Sequence, residues 1–338
     1  MCLRRLLYLL SFIMYLNLHA EVLISIDGDV LRLRSIQDAK IRSSWRTLTD
    51  TALITIPRLY KIDDKNADIR EYLTPGTSIE LNLGYNGDLS TEFSGYVTGW
   101  EGTGPITLEC EDEMYNLKKP NKSKTYYKTS LESLIADLAP GYEVSLEAVN
   151  IGDFMRKNAT PVQVLKELSE HPYNLFAYFP LGSKVLNVGF PYHSTNPTRH
   201  ILHLQRNLKS ASLSYRNLQQ DTIQVRVISH LDNGQILETI YPMNLEGASQ
   251  RTLNVMNIDT INELISYAKA ERSKFNFSGY EGSITSFGVP TIRHGDEVDI
   301  RDERYPERTG VYLVDDVVTE FNSRSADFKR TINIGLKV

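Results

Sequence analysis

At 338 residues the chain is long enough for roughly two or three domains, each able to bury its own core. With 41% hydrophobic and 23% charged residues its composition is that of an ordinary globular protein, which excludes a disordered or fibrous chain. A formal net charge of −5 argues against a dedicated nucleic-acid binder, which would carry a basic face or stripe. Nineteen tyrosines, together with Val, Ile and Thr, favour strands. The only cysteines are Cys2 and Cys110, so neither a disulfide framework nor a cysteine-based zinc site can be built.

The N-terminus reads in two ways. Arg4 and Arg5 precede the apolar run from Leu6 to Ile13, and Ala20 would serve as a cleavage point for a secretory signal. The run is too short to span a bilayer, so no stable membrane insertion is expected. Against cleavage, Leu18 stands where a small side chain is wanted. Leu16, Leu18, Ala20, Val22, Ile24 and Ile26 also alternate as one strand straight through the cut. The reading adopted is that Met14 is the start and residues 1–13 are an upstream extension. The alternative is a secreted or periplasmic β-rich binding protein matured after residue 20.

Residues 14–119 read as strands joined by tight turns, with Asp27-Gly28 and Asn86-Gly87 as hairpin signals. Ile79, Leu81 and Leu83 alternate with polar residues, as do Ile106, Leu108 and Cys110. Antiparallel strands at this spacing favour a small barrel or sandwich. Residues 120–204 read as a compact α+β unit. Thr129 with Glu132 predicts one capped helix, and Thr160-Pro161 with Gln163 predicts a second that stops before Pro172. Strand returns at residues 175–179 and 184–190, around a Leu181-Gly182-Ser183 turn. Residues 205–338 are β again, with strands around Val225, Val298 and Ile334 and a turn at Asp232-Asn233-Gly234. One helix near residues 260–272 is capped by Thr260 and Glu263.

No constellation of catalytic, cofactor-binding or metal-ligating residues survives inspection. His200 and His203 lie in a strand, where residues three apart face opposite ways. Glu109, Glu111, Asp112 and Glu113 would make an acid/base pair or cation site only with a second set of ligands, so a solvated strand end is the simpler reading. A hydrolase built on Glu109 and Glu111 is the enzyme reading set aside on that ground. Asp296, Asp299 and Asp302, and likewise Asp315-Asp316, lack calcium-loop spacing. Gly282-Ser283 lacks the elbow of a serine hydrolase, and Gly102-Thr103-Gly104 has no Lys-Ser/Thr after it. Cys110 sits mid-strand with nothing to lower its pKa. Lys118, Lys119, Lys122 and Lys124 read as an exposed linker, and Trp45 and Trp100 as core residues before interface anchors.

The order of several short strings carries a resemblance. Residues 41–52 run Ile-Arg-Ser-Ser-Trp-Arg-Thr-Leu-Thr-Asp-Thr-Ala, followed by Phe93-Ser94-Gly95-Tyr96-Val97 and Leu108-Glu109-Cys110-Glu111-Asp112. Later come residues 279–288, His294-Gly295-Asp296, Tyr305-Pro306-Glu307-Arg308 and residues 310–314. Together they resemble phage tail baseplate hub proteins and the hub part of related contractile injection spikes. The resemblance implies a mainly β chain in which two tube-like antiparallel β-barrels, 14–119 and 205–338, flank an α+β insert, 120–204. It further implies a homotrimer that joins a sixfold tail tube protein to a threefold central spike protein in a virion baseplate. DNA would pass its mildly acidic channel without specific binding, and no cofactor is implied.

Overall fold

The computed structural model describes residues 16–26, 28–62, 65–119, 123–146, 149–170, 173–190, 197–217, 223–231, 233–245, 247–275 and 278–338. Residues 1–13, Met14, Asp27, Pro120, Lys122, Pro172 and Asp232, named above, lie outside the described residues.

The first part of the chain forms β1 (Leu18–Ile26), β2 (Asp29–Leu33), β3 (Asp38–Ser44), β4 (Thr51–Ile56), β5 (Leu59–Ile62) and β6 (Lys65–Asp68). It continues through β7 (Ser78–Tyr85), β8 (Asp88–Glu101) and β9 (Ile106–Glu111). The middle holds β10 (Lys124–Ser130), α1 (Leu131–Leu138), β11 (Glu143–Leu146), β12 (Asn150–Arg156), α2 (Pro161–Ser169), β13 (Phe176–Tyr178) and β14 (Val185–Gly189). The last part comprises β15 (Arg199–His203), β16 (Leu208–Arg216), β17 (Ile223–His230), β18 (Ile236–Tyr241), β19 (Ser249–Met256) and α3 (Ile261–Phe275). It ends with β20 (Gly279–Phe287), β21 (Glu297–Arg301), β22 (Gly310–Asn322) and β23 (Asp327–Lys337).

These are mainly strands, as the alternating pattern predicts. In β7, Ile79, Leu81 and Leu83 are buried and their polar neighbours are not, and β23 repeats this with Phe328, Ile332 and Ile334. The β7–β8 hairpin turns on Asn86 and Gly87 at φ 53° and 86°, the left-handed pair that a tight two-residue turn requires. The α2 start is a full capping box: the Gln163 N–H donates to Thr160 Oγ1 and the Thr160 N–H to Gln163 Oε1. At α1 the cap falls one residue later than predicted. Thr129 belongs to β10 and is buried, whereas Ser130 is extended and its Oγ accepts from the Ser133 N–H.

One sheet of 13 strands dominates, in the order β16-β20-β23-β22-β3-β4-β9-β8-β7-β1-β2, with β21 and β15 branching from β22. The seam between the two parts of the chain is β22 against β3, antiparallel from Asp316↔Ser44 to Asn322↔Asp38. Strand β22 serves both neighbours because its first residues pair with β21 and its later ones with β3. Register shifts between Tyr312 and Asp316 re-aim it between the two. Not every pair is antiparallel: β15–β21, β11–β14 and β17–β19 are parallel.

Four apolar cores lie on this frame. One gathers Val22, Ile24, Ile54, Leu81, Phe93 and Leu108 with Phe321 and Phe328 from the far end of the chain. Another, around Tyr280, Ile284, Tyr312 and Ile332, fills the C-terminal strands. Val225, Val227 and Leu264 pack α3 onto the small β18-β17-β19 sheet. The middle unit has its own core around Leu134, Leu165 and Val188, with both helices packed on short strands.

Candidate functional site

Where the N-terminal strands, the C-terminal strands and the middle unit meet, the packing is polar. Strand β23 presents Arg330 on its buried face between Phe328 and Ile332, with 1% of the residue exposed. Its guanidinium is fully engaged. Nε donates to the Gly288 carbonyl at 2.8 Å, Nη1 to Thr319 Oγ1 at 2.9 Å and Nη2 to Glu92 Oε1 at 2.5 Å. Thr291 Oγ1 donates to the same Glu92 oxygen at 2.8 Å. Arg293 donates to the Thr91 carbonyl at 2.7 Å, and burial holds its guanidinium below the usual range. These groups face a cavity of about 230 Å³ that Asp50, Asp112 and residues 180–184 of the middle unit also line.

The β3–β4 loop, residues 45–50, passes through this junction. Trp45 is 5% exposed; its Nε1–H donates to the Val314 carbonyl at 3.2 Å. The ring meets Tyr178 edge-on at 4.9 Å and His294 at 5.4 Å, so one indole touches the middle unit and the C-terminal strands together. Arg46 pairs with Asp315 at 3.0 Å. Leu48 packs against the middle unit's core. At the loop's end, the Asp50 N–H donates to Asp112 Oδ2 at 3.2 Å and the Asp112 N–H to the Asp50 carbonyl at 3.0 Å. Asp112 Oδ1 also caps the 3-10 turn Glu113–Lys118 by accepting from the Met114 N–H.

Burial raises the pKa of both carboxyls. For Asp50 it outweighs the lowering effect of His294, the Ser43 hydroxyl, the Ser44 N–H and Arg293. For Asp112 burial is joined by the neighbouring Asp50 charge, and the carboxyl is held well above its ordinary range. His294 shares a 2.6 Å hydrogen bond between its Nδ1 and Ser43 Oγ, and burial lowers its pKa. Its Nε2 is buried without a hydrogen-bond partner among the described residues.

The residues weighed for chemistry are dispersed among structural contacts. His200 lies on a strand, as read, and faces Asp296 at 3.3 Å; His203 belongs to the same strand. The acidic run divides. Glu109 is exposed, Glu111 pairs with Lys118, Asp112 caps a turn, and Glu113 accepts from Tyr96, Tyr142 and Asn116. Asp299 pairs with Arg301, and Asp302 accepts from Gln205 and Tyr280. Asp315 holds Arg46, and Asp316 accepts from Asn333. Gly282 and Ser283 lie mid-strand in β20, and the Gly102 segment links β8 to β9. Of the lysines, Lys119 is exposed and Lys124 pairs with Asp137. Cys110 is buried, and burial pushes its thiol pKa up to about 12. Trp100 is partly buried against the first core. Among the described residues, no group of three or more His, Cys, Asp or Glu could hold a metal ion. The junction itself escaped the sequence reading, although an arginine on the apolar side of an alternating strand was its visible sign.

No family model and no curated protein sequence matches the chain. Solved structures do. A tail protein from Neisseria meningitidis MC58 superposes with a TM-score of 0.63 at 16% identity, over 95% of this chain and 97% of that one. The 43 kDa tail protein of prophage MuSo2 from Shewanella oneidensis gives 0.58 at 15% identity, over 93% and 98%. An E. coli component of the type VI secretion system, itself structurally similar to T4 bacteriophage tail proteins, gives 0.56 at 12% identity, over 92% and 76%. The chain therefore has the fold of phage tail proteins and their type VI secretion relatives, in keeping with its resemblance to the baseplate hub family.

Proposed function

We propose that this chain is the central hub of a phage or phage-like tail baseplate, a structural subunit without enzymatic activity. The observation that carries this reading is a fold match running nearly end to end, 95% of this chain on 97% of the Neisseria meningitidis tail protein. The hub assembles as a homotrimer that adapts a sixfold tail tube to a threefold spike and lines the channel for DNA or cargo. The three ends of the branched large sheet, β16, β2 and β15, have one paired neighbour each among the described residues. Such edges call for a neighbouring chain or a cover, and closed rotational assembly supplies one. The proposed division of the chain is one tube-like unit over 14–119, an insert over 120–204 and a second tube-like unit over 205–338. The hub's partners are the tail tube protein and the central spike protein. It is made in the host cytoplasm and resides in the virion baseplate, and it needs no cofactor.

Native mass spectrometry and sedimentation of residues 14–338, alone and mixed with the cognate tube protein, test the assembly. A trimer in either sample is the expected result. A monomer that persists in both at high concentration refutes the hub reading.

A further inference from the structure

The middle unit is attached to the sheet in an unusual way. Its apolar core is its own, and Leu48 is the one residue from outside residues 113–190 that packs against that core among the described residues. The seam also holds the cavity lined by Asp50, Glu92, Asp112, Arg293 and Arg330, the Tyr178–His294 ring contact at 5.0 Å and the stacked pair Tyr96–Tyr115. The loop of residues 45–50 bridges the two sides: Leu48 enters the middle unit, Trp45 touches Tyr178, and Asp50 ties back to Asp112 through two hydrogen bonds.

We propose that this loop is a proton-controlled clasp, which holds the middle unit against both parts of the sheet and loosens when the carboxyls it buries ionise. Two carboxyls buried at one joint and lining one cavity cannot both carry charge cheaply, so the closed joint favours the protonated form of at least one of them. The charged and titratable groups around it are few. From the loop comes Arg46, beside the Ser43 hydroxyl of β3; from β8, Tyr96; from the end of β9 and the turn after it, Glu111 and Glu113; from the C-terminal part, Arg293, His294, Asp296 and Asp315. Glu92, Arg330 and Lys184 border the same cavity, and the first two neutralise each other. Arg293 and His294 lower the Asp50 pKa without overturning the effect of burial.

The sign follows from proton linkage. Both carboxyls have raised pKa values when the clasp is closed, so the closed state binds more protons than the open one above the ordinary carboxyl range. The clasp therefore weakens as pH rises through and above that range. His294 acts from the other side. Its pKa is lowered in the closed state, so the clasp also weakens as pH falls below the ordinary imidazole range. Closure is favoured where His294 is neutral and the carboxyls retain their proton.

Hydrogen exchange on the full chain, corrected for the intrinsic rate at each pH, tests this. Segments Glu113–Lys118 and Phe176–Tyr178 report the joint, and β7 is the internal reference. Wild-type protection at the joint should fall by up to about tenfold per pH unit within the carboxyl window, while β7 holds constant. Asp50→Asn keeps an acceptor for the Ser44 N–H and removes one of the two titrations together with the charge that helps raise Asp112, so the loss with rising pH should be clearly shallower than in wild type. If Asp50→Asn fails to fold, Asp112→Asn serves the same purpose, because asparagine also caps. Parallel pH profiles in wild type and variant, or a wild-type joint whose protection is independent of pH, would overturn the proposal.

Discussion

The buried pair Arg330–Glu92 offers the sharpest test of how the two parts of the sheet are held together. The side chains are 1% and 3% exposed, and their nitrogen and oxygen lie 2.5 Å apart. Removing one partner of a buried pair strands the other charge, at a cost of about 3–5 kcal/mol. The hydrogen-bond inventory ranks the variants within that range. Glu92→Gln leaves Arg330 its contacts to Gly288 and Thr319, so it should fall near the lower end. Arg330→Met leaves Glu92, among the described residues, the Thr291 hydroxyl as its hydrogen-bond donor and the Arg293 charge nearby, and should fall near the upper end. The double variant Arg330→Met with Glu92→Met replaces both charges by apolar side chains and should cost far less than the sum of the singles. Urea unfolding read by hydrogen exchange in β8 and β23 supplies the cycle. Single variants costing under about 1 kcal/mol, or a double variant additive within about 0.5 kcal/mol, would refute the reasoning.

Two further predictions concern the first core. A methyl group added at Gly95 would lie 2.1 Å from the Glu111 carbonyl oxygen, so Gly95→Ala must part β8 from β9 and should destabilise by about 1–3 kcal/mol. At Gly99 the nearest atom is the flexible end of Glu109 at 3.7 Å, so Gly99→Ala should leave the urea midpoint nearly unchanged; equal midpoints for the two variants would contradict this account. Cys110, buried with its thiol pKa pushed up to about 12, should resist alkylation at pH 8 until urea unfolds the chain. Rapid labelling of Cys110 itself in the native protein, located by peptide mapping apart from Cys2, would show that the β9 core is open to solvent.

Local structure was legible wherever one face of an element is buried. Period-2 alternation marked β7, β9, β17, β21 and β23, and the Thr160–Gln163 pair marked the start of α2. At α1, Thr129 and Ser130 are both competent caps, and tertiary burial of Thr129 decided between them. What stayed hidden is long-range. Nothing in residues 38–44 announces that their partner is Asp316–Asn322, since an alternating strand specifies its buried face and not its neighbour. The junction was hidden for a related reason. Asp50, Glu92 and Arg293 look like ordinary surface charges in a linear chain, Arg330 alone stands on the apolar side of its strand, and only the closing of the sheet brings them together out of water.

The pairing of β3 with β22 also sets a timetable for synthesis. Strand β3 leaves the ribosome early, yet its partner follows only after some 270 residues, about 15–55 s at translation rates of roughly 5–20 residues per second. During that wait one edge of β3 is open, and the core around Ile54 and Leu108 lacks Phe321 and Phe328, which arrive last. A nascent chain in this state carries an unpaired edge and an uncovered apolar patch, both of which invite wrong partners. Premature termination before β22 should therefore yield aggregates in place of a smaller soluble fragment. Completion of the last two strands is the step that makes the N-terminal strands safe.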